Sequence, residues 1–279
     1  MQKFLFFFNT CLILLSNLHL TTAQNIVNPI DTLVLEQKQF IAGDFSWASA
    51  DAFNSIFVLN SNNQLVKYNA LGDVVSAFNG FSRYGKPTFI DVSNPMKILV
   101  YFQRFSTILI LDRWLTLRNT LKLKFPGSNA SKTISCSYDN KIWIFHQLNQ
   151  QLLKLDEQLN IASESNDIRS LTGEVINPAE IKDAEGWVLL NDNNKGIYLF
   201  DQLGTFKKQL PFQWNNITIQ NKSIYGFANN LMHEYHLQTQ EEKAYHFPHN
   251  IEDCKSVQFI NHEIVELKKE GVHVYSIKN

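Results

Sequence analysis

Acidic side chains at a recurring place are the first residues in this chain whose type and spacing could do chemistry. Asp51, Asp91, Asp139, Asp183 and Glu185 each follow a short strand-like run, and carboxylates converging from separate segments are what a hard cation such as calcium requires. The same place is where Asp and Asn ordinarily close turns through their side chains, and the local sequence favours that turn reading. The eight histidines lack the clustered spacing of a zinc site. His233 and His236 lie three apart in a strand-like run, which puts them on opposite faces, and His246 and His249 bracket Pro248 in a loop. No Gly-x-Ser-x-Gly elbow occurs, and neither Cys136 nor Cys254 sits in a reactive context. The residues therefore predict no catalytic group, no metal and no cofactor.

Arginines and aromatics in the loops form a second set. They are Phe78, Phe81, Arg83 and Tyr84; Arg104 and Phe105; Phe125-Pro126; Arg169; Phe212 and Trp214; and Phe247-Pro248-His249. Arg and aromatic enrichment is the composition of contact surfaces, although single aromatics in loops also serve as packing anchors. The candidate binding residues are Arg83, Tyr84, Arg104, Arg169, Trp214 and His249.

The elements that would position them follow from a repeat. A strand beginning at Ile56 recurs at Ile98, Ile142, Trp187, Ile224 and Ile264, in steps of 42, 44, 45, 37 and 40 residues, the period of four-stranded propeller blades. Each is followed by a partner strand: Leu65–Asn69, Ile108–Asp112, Leu152–Asp156, Ile197–Asp201, Met232–His236 and Val272–Ser276. The fifth position of this partner is a short polar residue or His, suited to closing a turn, and the intervening Asn- and Gly-rich turns make each pair a β-hairpin. A short run of small and β-branched residues precedes each hairpin, from Phe45, Thr88, Thr133, Ala179, Ile217 and Ser256, as expected of inner strands around an axis. The sixth unit lacks an outer strand, and Thr32–Glu36 near the start of the chain is free to supply it, which would leave no exposed edge. The predicted fold is an all-β, six-bladed propeller of four-stranded blades whose last blade is closed by the N-terminal strand. The gap from Ala162 to Pro178 reads as an extended loop with room for one helical turn.

Residues 1–23 combine Lys3, an apolar run from Phe4 to Leu15 and a small-residue site at Ala23, the pattern of a cleaved signal peptide. The apolar run is too short for the roughly 20 residues of a membrane span. A single domain over residues 24–279 in a secreted or periplasmic, cell-envelope location is expected. The chain carries 25 basic and 26 acidic residues without like-charge blocks, which argues against nucleic acid or an anionic membrane as partner. Cys136 and Cys254 fall in the inner strands of repeats three and six, on opposite sides of a ring and beyond the reach of a disulfide, so both are expected as free thiols.

The run Tyr68–Val92, with its Asn69-Ala-Leu-Gly72-Asp73 turn, outer strand, Gly-containing loop and Pro87 before an inner strand, resembles the NHL-type propeller repeat. Phe200-Asp-Gln-Leu-Gly204 repeats the turn, whereas Asp112 and Asp156 lack the following Gly. Six-bladed rings of this kind include scaffolds, receptors, lactonases and lyases, so the likeness implies fold more than activity. Its enzymatic branch implies a lactonase or esterase like the gluconolactonase group, with Glu, Asn and Asp side chains around an axial calcium. The five carboxylates named above, however, map to the face opposite that site. The leading expectation is a monomeric, non-enzymatic module that binds a protein or glycan through its loop rim.

Overall fold

The computed structural model describes residues 31–124 and 130–278. The signal-like segment 1–23 and the pair Phe125-Pro126 lie outside the described residues. Six four-stranded antiparallel sheets succeed one another as the blades of a ring, each counted from its inner strand outward. Blade one is Phe45–Ala50, Ile56–Asn60, Leu65–Tyr68 and Val74–Phe78. Blade two is Phe89–Asp91, Ile98–Phe102, Thr107–Leu111 and Leu117–Lys122. Blade three is Ala130–Cys136, Ile142–His146, Gln151–Leu155 and Ile161–Glu164. Blade four is Glu180–Ala184, Trp187–Asp192, Gly196–Asp201 and Phe206–Leu210. Blade five is Asn215–Gln220, Ser223–Ala228, Leu231–His236 and Glu242–His246. Blade six is Ser256–Ile260, Glu263–Leu267 and Gly271–Lys278, completed by the N-terminal strand Val34–Ala42.

Ring closure is as expected, with a shift in which residues do it. Val34–Ala42 runs antiparallel to Gly271–Lys278, from Val34 opposite Lys278 to Ala42 opposite Gly271, with a bulge between Gln37 and Gln39. Asp31 and Thr32 instead pair in parallel with Tyr245 and His246 on the outer edge of blade five, so the chain straddles two blades before it closes the ring. Gly271 adopts φ +153°, and a Cβ there would meet the Ile41 carbonyl oxygen at 2.2 Å. The close approach of the two strands thus requires glycine. Between Ala162 and Pro178 the structure has a helix, Ile168–Thr172, capped by Asp167 accepting from the Arg169 amide.

The core lies between blades. The second strands, and the third strands of blades one to four, are largely buried, and six apolar clusters fill the six interfaces. Ile41, Val272 and Val274 of blade six pack with Ala48, Ile56 and Val58 of blade one, so the closing strand also joins the last interface.

The outer turns show why the degenerate repeats still fold. Asn69, Asp112, Asp156 and Asp201 each accept, through Oδ1, the amides two and four residues on. Gly72 and Gly204 take the left-handed residue of that turn, while Leu115 and Leu159 take it at φ 61° and 64° in blades two and three. Leu115 is nearly fully buried, and its packing offsets the strain that a branched side chain meets there.

Ile41→Ala should weaken the closing strand at its most buried point and cost about 2–5 kcal/mol in urea unfolding. An unchanged denaturation midpoint would show that closure contributes little to the fold.

Candidate functional site

The ring sorts its loops onto two faces. One face carries the turns from inner to second strand and from third to outer strand; the other carries the second-to-third-strand hairpins and the connections between blades. On the second face each hairpin hooks onto the connection that follows it. Asn63 Nδ2 donates to the Gly85 carbonyl, Gln103 Nε2 to Ala130, Gln150 Nε2 to Ile176 and Gln213 Nε2 to Asn194, and the Ile251 amide donates to Asn230 Oδ1.

The first face is committed to holding blades together. Asp51 Oδ1 accepts the amides of Phe53 and Ser55, and Asp91 Oδ1 that of Ser93, in the expected turns. The remaining acceptors reach across interfaces. Asp91 Oδ2 accepts the Cys136 amide at 2.5 Å, Asp183 Oδ2 accepts Trp143 Nε1 at 2.7 Å, and Glu185 accepts the amides of Asn221 and Lys222. Asp139 binds Lys141 at 2.6 Å and Lys154 at 3.6 Å. Its carboxyl titrates at about 2: desolvation pushes it up, but the hydrogen bonds from Lys141 and Ser137 and the nearby charges outweigh that. Among the described residues no three His, Cys, Asp or Glu side chains gather in a metal-holding group. These five carboxylates serve turns and blade interfaces.

The second face brings together three of the six expected binding residues. Arg83 and Tyr84, from the connection between blades one and two, share a cleft of about 460 Å³ with Arg104, from the hairpin of blade two, and with Lys86, which the sequence reading left out. The two loops are fixed to each other. The Gln103 amide donates to Thr88 Oγ1 at 3.0 Å, and the Tyr84 ring lies 4.9 Å from Phe102 and 5.8 Å, edge-on, from Phe105. The amides of Tyr84 and Gly85 both donate to the Phe81 carbonyl, which turns the connection outward. Arg83, Lys86 and Arg104 are exposed, have no ion-pair partner among the described residues, and no carboxylate lines the cleft. Such a site favours an anionic group, with planar guanidinium forks matched to carboxylate geometry.

The other three expected residues lie outside the cleft, and for Trp214 the rim reading is corrected to packing. Trp214 is buried, 4% exposed, because its indole stacks on Phe212 at 4.4 Å and on His233 at 5.1 Å, while its carbonyl accepts Asn191 Nδ2. It is a wedge between blades four and five. His249 is tied through Nε2 to the fully buried Glu266 at 2.7 Å, which also pairs with Lys268. Arg169 is exposed but turned back onto Asp167, with Nη2 2.6 Å from Oδ2, and lines neither the cleft nor the axial funnel. Cys254 is likewise misplaced by the sequence reading: it lies in the turn before the inner strand of blade six, not within it. Both cysteines are unpaired, and burial pushes their thiols up, Cys136 to about 12 and Cys254 to about 11.

Sequence reasoning missed the mouth of the axial channel. There Trp47, Phe89, Glu180 and the asparagines of the adjoining loops surround a funnel of about 550 Å³ that opens on the same face as the cleft. The signal was present, since Asn193, Asn229 and Asn230 stand in the hairpins, but those residues read as turn formers.

The Trp214 wedge gives the fold a pH dependence. Burial pulls His233 below its ordinary value of 6.5, so the folded state binds its proton less readily than the unfolded chain. That contribution to stability is complete above pH 6.5 and is lost as pH falls from there through the folded-state value. Melting temperature measured from pH 7.5 down to 5 should fall more steeply for the parent than for His233→Phe; parallel curves would contradict the burial.

No protein-family model matches the chain, and no curated protein matches it in sequence. Solved structures do resemble it. They include a streptogramin B lyase (TM-score 0.59, 15% identity, 83% of this chain and 78% of that one) and the WD40 domain of Pan2 from Neurospora crassa (TM-score 0.59, 11% identity, 89% and 86%). A third is BBS1N in complex with ARL6DN (TM-score 0.57, 11% identity, 89% and 98%). At these identities the likeness shows the propeller fold alone.

Proposed function

We propose that this protein is an exported, non-enzymatic binding module that engages a protein partner through the face bearing the cationic cleft. The observation that carries the reading is the convergence of Arg83, Lys86 and Arg104 beside Tyr84 and Phe105, with no carboxylate in the same cleft. Unneutralised cations next to half-exposed aromatics suit an acidic segment of a partner, where the forks bind carboxylates and the rings cover apolar stems. The chain as a whole is slightly acidic, so this local excess of positive charge is a feature of the cleft and not of the composition.

Export rests on the pattern of residues 1–23, and among the described residues no helix is long and apolar enough to cross a membrane. A partner-binding role accords with the BBS1N propeller, which is seen in complex with another protein. The turns at Asn69 and Asp201 support a divergent NHL-like repeat as the ancestry of the blades.

Charged hydrogen bonds contribute about 1.5–3 kcal/mol each, so Arg83→Ala and Arg104→Ala should each weaken partner binding roughly ten- to a hundredfold. Affinity capture of the partner on the immobilised mature protein, followed by titration with a synthetic acidic peptide at rising salt, measures this. Binding by the double variant at the parent's affinity, or binding indifferent to salt, would overturn the proposal.

A further inference from the structure

The axial funnel is a second site, which adjoins the cleft at Thr88 and differs from it in chemistry. Its mouth of about 550 Å³ narrows to a throat of about 100 Å³. The two spaces share Trp47, Phe89, Glu180, Asn216 and Gln258. Above the throat the wall is built of primary amides: Asn193, Asn215, Asn216, Asn229 and Asn230.

Part of this amide wall is already engaged. Asn193 Nδ2 donates to Asn215 Oδ1 at 2.7 Å, and Asn230 Oδ1 accepts the Ile251 amide at 2.8 Å. The side-chain amides of Asn216 and Asn229, and Nδ2 of Asn215 and Asn230, have no partner among the described residues. Asn216, at a bulge in the strand Asn215–Gln220, and Asn229, in a hairpin turn, sit at φ 51° and 52°.

The funnel holds charge of both signs: Lys182 acts on Glu180 in the throat, and Glu252 stands exposed at the mouth. Lys255 pairs with Asp44 at 3.2 Å and donates to the Phe45 carbonyl at 2.8 Å. Glu180 accepts the Asn216 amide at 2.7 Å and Asn191 Nδ2 at 3.3 Å. Glu180 lines both spaces, and burial raises its carboxyl above the ordinary value. Trp47 and Phe89, both half-buried, give the same space two aromatic surfaces.

A hydroxyl both donates and accepts, and a primary amide offers one acceptor and two donors in a fixed plane. Several unpartnered amides beside aromatic rings therefore match a molecule with a ring of hydroxyls around an apolar C–H face. An anion would meet Glu180 and Glu252 in the same space, where the throat's Lys182 already acts on Glu180, and an apolar ligand would strand the amides at a cost of about 1–3 kcal/mol for each group left unpaired. We infer that the funnel binds a neutral saccharide of one or two sugar rings, a ligand whose size suits a pocket within the usual range of about 300–1,000 Å³.

The test titrates the mature protein with glucose, galactose, mannose, N-acetylglucosamine and their β-linked disaccharides, read by tryptophan fluorescence and by amide shifts in NMR spectra. Saturable binding of at least one sugar is expected. It should weaken at least about tenfold in Asn216→Gly/Asn229→Gly, a pair that removes the amides while glycine keeps the left-handed backbone. Asn215→Ala, at an exposed strand start, should weaken it in the same direction without relying on those turns. Arg83→Ala/Arg104→Ala should titrate as the parent does, which separates this site from the partner-binding cleft. The inference is overturned if no sugar in the panel gives a saturable response, or if binding survives unchanged in Asn216→Gly/Asn229→Gly and in Asn215→Ala.

Discussion

The pairing of Val34–Ala42 with Gly271–Lys278 is the constraint on which the rest of the structure depends. Six blades of three or four strands do not make a ring until the first strand of the domain joins the last sheet, and an open array would leave an unpaired edge on blade six. Closure also completes the sixth interface, where Ile41 packs with Ala48 and Val58. Once the ring is shut, the position of every loop is set by which strand ends it joins. A polar residue in a loop then belongs either to the face of the inter-blade carboxylate contacts or to the face that bears the cleft and the mouth of the channel.

That division explains how a nearly neutral chain separates its charges by use. Asp91, Asp183 and Glu185 are spent as acceptors across blade interfaces, and the buried lysines Lys97 and Lys154 pair with Glu157 and Asp139 on the same face. Removing one partner of such a contact leaves a buried group without its hydrogen bond, so these residues hold geometry rather than offer chemistry. On the opposite face Arg83, Lys86 and Arg104 have no such obligation. The cations left over by folding are the ones available to a partner, and the amides left over around the axis are available to a neutral ligand.

Much of the fold was legible because blade geometry is local. The hairpin period, the polar fifth position that became the turn acceptors Asn69, Asp112, Asp156 and Asp201, and the missing sixth outer strand were all visible as patterns along the chain. The site was legible only where neighbouring loops created it. Arg83, Tyr84 and Arg104 lie within two loops that adjacent blades bring together. Trp214 and His249 look equally loop-like in sequence, but their depth is decided by side chains from the strands they pack on: His233 stacked on Trp214, and the buried Glu266 against His249. The funnel escaped notice for another reason. Asn216, at a strand bulge, and Asn229 and Asn230, in a hairpin turn, satisfy the demand for left-handed backbone at φ 51–61°, so a local requirement accounts for each of them singly. Their convergence on one opening is a property of the closed ring.

The central claim is that one face of the disc binds while the other locks the blades. Amide hydrogen exchange of the protein with and without its captured partner measures it most directly. The account predicts new protection confined to residues 82–88 and 103–106 at the cleft, with the turns at 52–55, 92–97 and 138–141 exchanging as before. Protection centred on those turns, with the cleft segments unchanged, would contradict it.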